Sequence, residues 1–193
     1  GGVLFDTVQF CLREVSRNIV EHSESDRFSY CAQYWNKNKT VQIAIVDRGI
    51  GLSASLRQNQ KLPISSDKDA VQLALMPGVS RVGILPQSKA DHDPWANSGF
   101  GLYMTSRICR EGGRFTALSG TAAIELSREL KTVHIGKYAG TALALEINME
   151  AAQGLSERLA TFRDEGIKAA RTYFHSEQLT ASTASTMLSR NFN

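Results

Sequence analysis

A chain of 193 residues and 21.2 kDa, with 42% hydrophobic and 21% charged residues, has the makeup of one globular domain with a sizeable core, which excludes wholesale disorder. Its 22 basic and 19 acidic side chains leave a net charge of +3, too small by itself to indicate a nucleic acid or another polyanion as partner. No run approaches the roughly 18 apolar residues of a membrane span and no basic-then-apolar leader opens the chain, so no membrane partner and a cytoplasmic location are expected.

The first pattern along the chain is helical. Leu4, Val8, Cys11, Leu12, Val15 and Ile19 recur every three or four residues and predict an amphipathic helix over 3–22. Two strand-like runs follow, Phe28–Trp35 and Thr40–Asp47, separated by the polar Asn36–Lys39, which reads as an antiparallel hairpin. The second run has five apolar positions in six over Val41–Val46 and is expected to be a central strand covered by helices. Short helices are expected at 53–60 and 66–76, the latter capped by Ser65 or Ser66 and stopped by Pro77-Gly78. The stretch from Gly83 to Asn97 is irregular, with two prolines and little periodicity. Gly99-Phe100-Gly101-Leu102 opens a helix running to about Arg110, ended by Gly112-Gly113. Strands are then expected at 114–118, 122–127, 132–135 and 141–147.

The tail has a different pattern. Leu155, Leu159, Phe162, Gly166, Ala169 and Tyr173 are spaced 4, 3, 4, 3, 4, as on one face of an amphipathic helix with a weak point at Gly166. From Thr180 to Ser189 six of ten residues carry hydroxyls, and fraying is expected there. Three cysteines, Cys11, Cys31 and Cys109, are scattered without metal-ligand spacing, and each is expected to be a small buried hydrophobe.

Three groups of residues carry candidate chemistry. Glu14, Asn18 and His22 lie four apart on the first helix; four residues advance about 40° around the axis, so they form one polar stripe on the shoulder of the apolar face. Asp47 ends an apolar strand and is followed by Gly49 and Gly51. Its carboxylate can accept a hydrogen bond from a planar donor such as an exocyclic amine, while the glycines allow a tight turn and close approach to a flat ligand. Ser98 to Leu102 stand at a helix start, where free backbone N–H groups and the helix dipole suit a phosphate chain. Neither a Rossmann fingerprint nor a Walker loop is present.

In order, Glu-x-x-x-Asn on a first helix, Asp-x-Gly-x-Gly after a central strand, a long loop, Gly-x-Gly-Leu opening a helix and Gly140-Thr141 entering a last strand resemble the GHKL ATPases. This superfamily includes the ATP-binding domains of type II topoisomerases, heat-shock chaperones, mismatch-repair proteins and sensor histidine kinases. The resemblance covers about residues 3–149. It implies an α+β sandwich of the Bergerat type, with helices on one face of a mixed, mainly antiparallel sheet. The lid would be about 53–97, and residues 150–193 would form a separate helix and tail.

The resemblance also assigns roles. Asn18 would be the Mg²⁺ ligand, and Glu14 the general base that activates water. Asp47 would contact the adenine amine, with Gly49 and Gly51 shaping the base pocket. Ser98, Gly99, Phe100, Gly101 and Leu102 would hold the phosphates, and the Thr141 hydroxyl would lie near the adenine. His22, four residues after Asn18, is similar to the pattern of anti-sigma-factor serine kinases. The function implied is Mg²⁺-dependent binding and slow hydrolysis of ATP, with lid closure read by a protein partner or a second subunit. A protein serine kinase of the anti-sigma type and a nucleotide-gated interaction module without turnover are the alternatives. Nothing resembles a phospho-acceptor histidine helix: His92, His134 and His175 lack its surroundings.

Overall fold

The computed structural model describes residues 2–81, 99–151 and 155–174. Five helices and four strands are present among them, in an α+β fold. The elements are α1 (Val3–His22), β1 (Phe28–Trp35), β2 (Thr40–Asp47), α2 (Gly51–Leu56), α3 (Asp67–Ala74), α4 (Gly101–Arg110), β3 (Arg114–Ser127), β4 (Leu130–Asn148) and α5 (Leu155–Phe174). The strands form one sheet in the order β1-β2-β4-β3, and every pairing is antiparallel.

Alternation along the strands decides which face is covered. Ile43, Ile45 and Asp47 of β2 are buried, as are Phe115, Ala117 and Ser119 of β3 and Leu143, Leu145 and Ile147 of β4. Their apolar members share one core with Phe10, Cys11, Val15 and Ile19 of α1, Phe100 beside α4, and Met104 and Ile108 within it. The intervening residues line an opposite face of mixed character, Ala44, Val46, Leu118, Ala142 and Ala144 beside polar and charged groups. There Gln42 donates to Glu146 at 2.9 Å, and Arg114 pairs with Glu125 and Glu146 at 3.8 and 3.7 Å. β2 is therefore central in the sheet but covered on one side only.

The four strand-like runs expected after residue 113 merge into one long hairpin. Gly120 and Gly140 have φ of +63° and +100°, and the β3–β4 register shifts between Ser119 and Ala122. The glycines bend the ladder without breaking it, as a bulge does. The Asp67 carboxylate pins the bulge by accepting from the Thr121 amide at 2.9 Å and the Thr121 hydroxyl at 3.0 Å.

Helix α2 occupies 51–56, shorter than the 53–60 expected, and α3 occupies 67–74. Ser66 caps α3 reciprocally: its hydroxyl accepts from the Asp69 amide at 3.2 Å while Asp69 accepts from the Ser66 amide at 2.9 Å. Leu56, Leu62, Leu73, Ala74 and Val79 form a small second core beneath this segment. Part of the expected lid, residues 53–81, is thus folded around its own cluster. Its remainder, 82–97, lies outside the described residues, as do Ser98, His92, His175 and the hydroxyl-rich 180–189.

Helix α5 joins the main core through Leu155, Leu159, Phe162 and Ala170. Its apolar face follows the 3.6-residue period, so Ala170 is buried where the heptad spacing pointed to Ala169, which is exposed. Gly166 lies inside the helix. A Cβ there would stand 2.6 Å from the Tyr103 ring, so the glycine lets α5 lie close against α4. The Arg107 guanidinium stacks 4.5 Å from the Phe162 ring centroid and pairs with Glu165 at 2.7 Å. The cysteine expectation needs one correction: Cys11 and Cys109 are buried, but Cys31 is exposed, because β1 is an edge strand with all eight residues open to solvent. Among the described residues, no helix is long and apolar enough to cross a membrane.

Candidate functional site

A cleft opens between the C-terminal half of α1, the end of β2, the start of α2 and the N-terminus of α4. Its volume is about 70 Å³ by the positions a water centre can reach. A single water needs about 10–15 Å³ in that measure, so the cleft is a narrow slot. Its walls are mixed: Ile19, Ile45, Leu52 and Leu143 are apolar, while Asn18, His22, Asp47 and Thr141 bring polar groups.

Asp47 forms the polar floor. It lies at the end of β2 with 3% of its surface exposed, and its Oδ1 accepts the Gly49 amide at 2.8 Å. Burial pushes its pKa up, opposed by the hydrogen bonds from the backbone N–H groups of Gly49 and Thr141. One donor from the turn after β2 and one from β4 thus aim the carboxylate, which keeps acceptor capacity for donors inside the slot.

The glycines around Asp47 are required by close approach. A Cβ at Gly49 would fall 1.9 Å from the Ser23 carbonyl oxygen, which accepts the Ile50 amide at 2.8 Å. Gly51 has φ of +74° and faces the Ser119 hydroxyl and the Gly140 carbonyl. Ser119 links these pieces, accepting from the Leu52 amide at 2.9 Å and donating to the Gly140 carbonyl at 2.7 Å. The start of α2 is therefore tied to the bend in β4 through a single hydroxyl.

At the opposite wall, Gly99 has φ of +72°, and a Cβ on it would lie 2.4 Å from the Val79 carbonyl oxygen. Its own carbonyl accepts the Gly78 amide at 3.1 Å, so the chain on either side of 79–98 is bonded together at its base. The N-terminus of α4 carries no side-chain cap. Its first N–H groups point out of the helix beside Gly99, Gly101 and Leu102, all three of which line the slot.

The polar stripe of α1 divides. Asn18 and His22 line the slot, and burial lowers the His22 pKa, with Glu21 opposing and Arg81 and Arg17 reinforcing the shift. Glu14 does not line it. Its side chain is fully buried under α4, close enough to Gly101 that a Cβ there would meet its Oε2 at 2.5 Å. Arg17 donates to Oε2 at 2.9 Å and Arg13 to Oε1 at 3.4 Å. Burial raises the Glu14 pKa, with the two arginines working against that rise.

The structure therefore brings Asn18, His22, Asp47, Gly51, Gly99, Gly101, Leu102 and Thr141 to one cleft. Gly49 shapes the floor from behind, Phe100 is fully buried in the core beside it, and Glu14 is held in an ion-pair cluster outside the lining. Ser23, Ser80 and Arg81 line the slot and were not expected from sequence, although Pro77-Gly78 marked the turn that delivers the last two. A scan against protein-family models and a comparison with curated proteins found no match for this chain.

Proposed function

We propose that this chain is an ATP-binding domain of the GHKL type. What carries the reading is the buried Asp47 carboxylate at the floor of a narrow slot, held by the Gly49 and Thr141 amides and faced across the slot by an uncapped helix N-terminus. A purine with an exocyclic amine supplies the donor that the carboxylate lacks. The N–H groups at the start of α4 suit the phosphates. The donor set fits such a group, since the buried Asp47 carboxylate, the Thr141 hydroxyl and the Asn18 amide all belong to residues that line the one slot. Asn18 offers an amide oxygen to a Mg²⁺ ion, which takes few protein oxygens and completes its shell with phosphates and water. Bound there, the ion would neutralise phosphate charge.

Titration calorimetry of Mg²⁺-ATP into the wild type and Asp47→Asn, with GTP as control, tests this. ATP-selective heat that is lost in Asp47→Asn is expected. Absence of heat together with absence of thermal stabilisation at saturating nucleotide would overturn the reading.

A second reading, in which nucleotide is bound without being turned over, is favoured by the state of Glu14. A general base must reach its water, yet this carboxylate faces Arg17 and Arg13 and lies outside the slot. Hydrolysis requires Glu14 to leave Arg17 when the site fills; a binding module does not. Phosphate release that stays at background in the wild type and is unchanged in Glu14→Gln assigns the module, whereas release lost in Glu14→Gln assigns the ATPase. In either case the difference between the nucleotide-bound and nucleotide-free states would be the signal that a protein partner or second subunit reads.

A further inference from the structure

The outer edge of β1 lies at the end of the strand order, with all eight residues exposed. Natural edge strands are protected by charges, prolines or bulges. β1 has none of these: Phe28-Ser29-Tyr30-Cys31-Ala32-Gln33-Tyr34-Trp35 contains no charged residue and no proline, and its register with β2 is unbroken from Phe28 to Trp35. It also exposes four aromatic side chains: Phe28 at 38%, Tyr30 at 71%, Tyr34 at 42% and Trp35 at 49%.

We propose that this edge pairs antiparallel with the β1 edge of a second copy of the chain, joining two four-stranded sheets into one. Charge at the ends of the strand selects that occupant and that direction. Exposed Glu24 and Asp26 precede β1, outnumbering Arg27, and exposed Lys37 and Lys39 follow it. Antiparallel pairing with a copy lays the acidic end of each strand on the basic end of the other, twice over, as an isologous two-fold interface requires.

The register follows from the same symmetry. A two-fold axis normal to the sheet keeps each face on its own side, so opposed residues must come from the same face of β1. With the axis at Cys31, Phe28 lies opposite Tyr34 of the second copy and Tyr30 opposite the small Ala32. Arg27 then lies opposite Trp35, and the two Cys31 side chains face each other. An axis at Ala32 would set Tyr30 against Tyr34, but also Arg27 against Lys37 and Phe28 against Asn36. Both registers form a cross-strand aromatic pair, but like charges directly opposite each other oppose pairing, and the Cys31 axis sets Arg27 over the Trp35 ring instead, so it is the one selected.

Sedimentation over a concentration series, with diamide as oxidant in a parallel sample, tests the joint. The wild type is expected to sediment as a dimer and to form a Cys31–Cys31 disulfide between copies, which Cys31→Ser abolishes. Cys11 and Cys109 are buried and do not compete in the folded protein. Tyr30→Lys, at a position 71% exposed, is expected to give a monomer with unchanged near-ultraviolet circular dichroism. A wild type that is monomeric throughout, or a dimer that survives Tyr30→Lys, overturns the proposal. Dissociation by Tyr30→Lys without any Cys31 disulfide overturns the register.

Discussion

Glu14 has no solvent-exposed side-chain surface, and two arginines determine how it behaves. Removing Arg17 strands a buried carboxylate with only the longer Arg13 contact. Arg17→Ala is therefore expected to cost about 3 kcal/mol at neutral pH by denaturant unfolding. The cost should shrink in acid, because a carboxyl whose pKa is already raised by burial then takes a proton and no longer needs a counter-charge. His22 titrates in the opposite sense. Its pKa lies below the ordinary 6.5, so the unfolded chain takes this proton before the folded one does. Stability from His22 is complete above pH 6.5 and is lost as pH falls through the lower, folded value. Melting temperatures between about pH 7.5 and 5.5 should therefore fall further in the wild type than in His22→Gln.

At the scale of elements, α5 shows how far periodicity alone reaches. The spacing of Leu155, Leu159 and Phe162 announces an amphipathic helix, but a strict heptad and a free helix diverge by the fourth turn, and the structure buries Ala170 instead of Ala169. Because α5 closes the core over Phe100 and Tyr103, Leu159→Ala at a 2% exposed position should cost about 3 kcal/mol. Far- and near-ultraviolet signals should still unfold in one coincident transition in that variant. Two separated transitions would mean that α5 is an independent appendage.

The strands show the other limit of sequence reading. β1 and β2 begin and end where alternation places them, since a polar turn and a terminal Asp47 bound both runs. Gly120 and Gly140 read as breaks between strands, yet each carries a positive φ inside a continuous ladder. Only the partner strand and the Asp67 carboxylate, 53 and 54 residues away from the bulge, decide between a bulge and a break.

For the whole molecule, the residues that converge on the slot were legible where local chemistry marked them: a carboxylate ending an apolar strand, glycines at a turn, a helix entry. Glu14 was legible as part of a stripe with Asn18 and His22, but its pairing with both Arg13 and Arg17 was not, because spacing places the two on one side of the helix without saying that the carboxylate turns to them. Ser119 lies 67 residues from the Leu52 amide it accepts, and no local signal announces such a link.

The junction of Ser23 and Ile50 has a consequence for exchange with solvent. The Ile50 amide gives its hydrogen to the last carbonyl region of α1, at 2.8 Å, and not to a neighbour in its own turn. Its exchange with deuterium therefore reports whether α1 is seated against the end of β2, and hence whether the two walls carrying His22 and Asp47 are in place. In a native-state experiment Ile50 should exchange with the slow amides of β2 rather than with the surrounding loop, and should turn fast whenever a substitution or a denaturant lifts the end of α1 away.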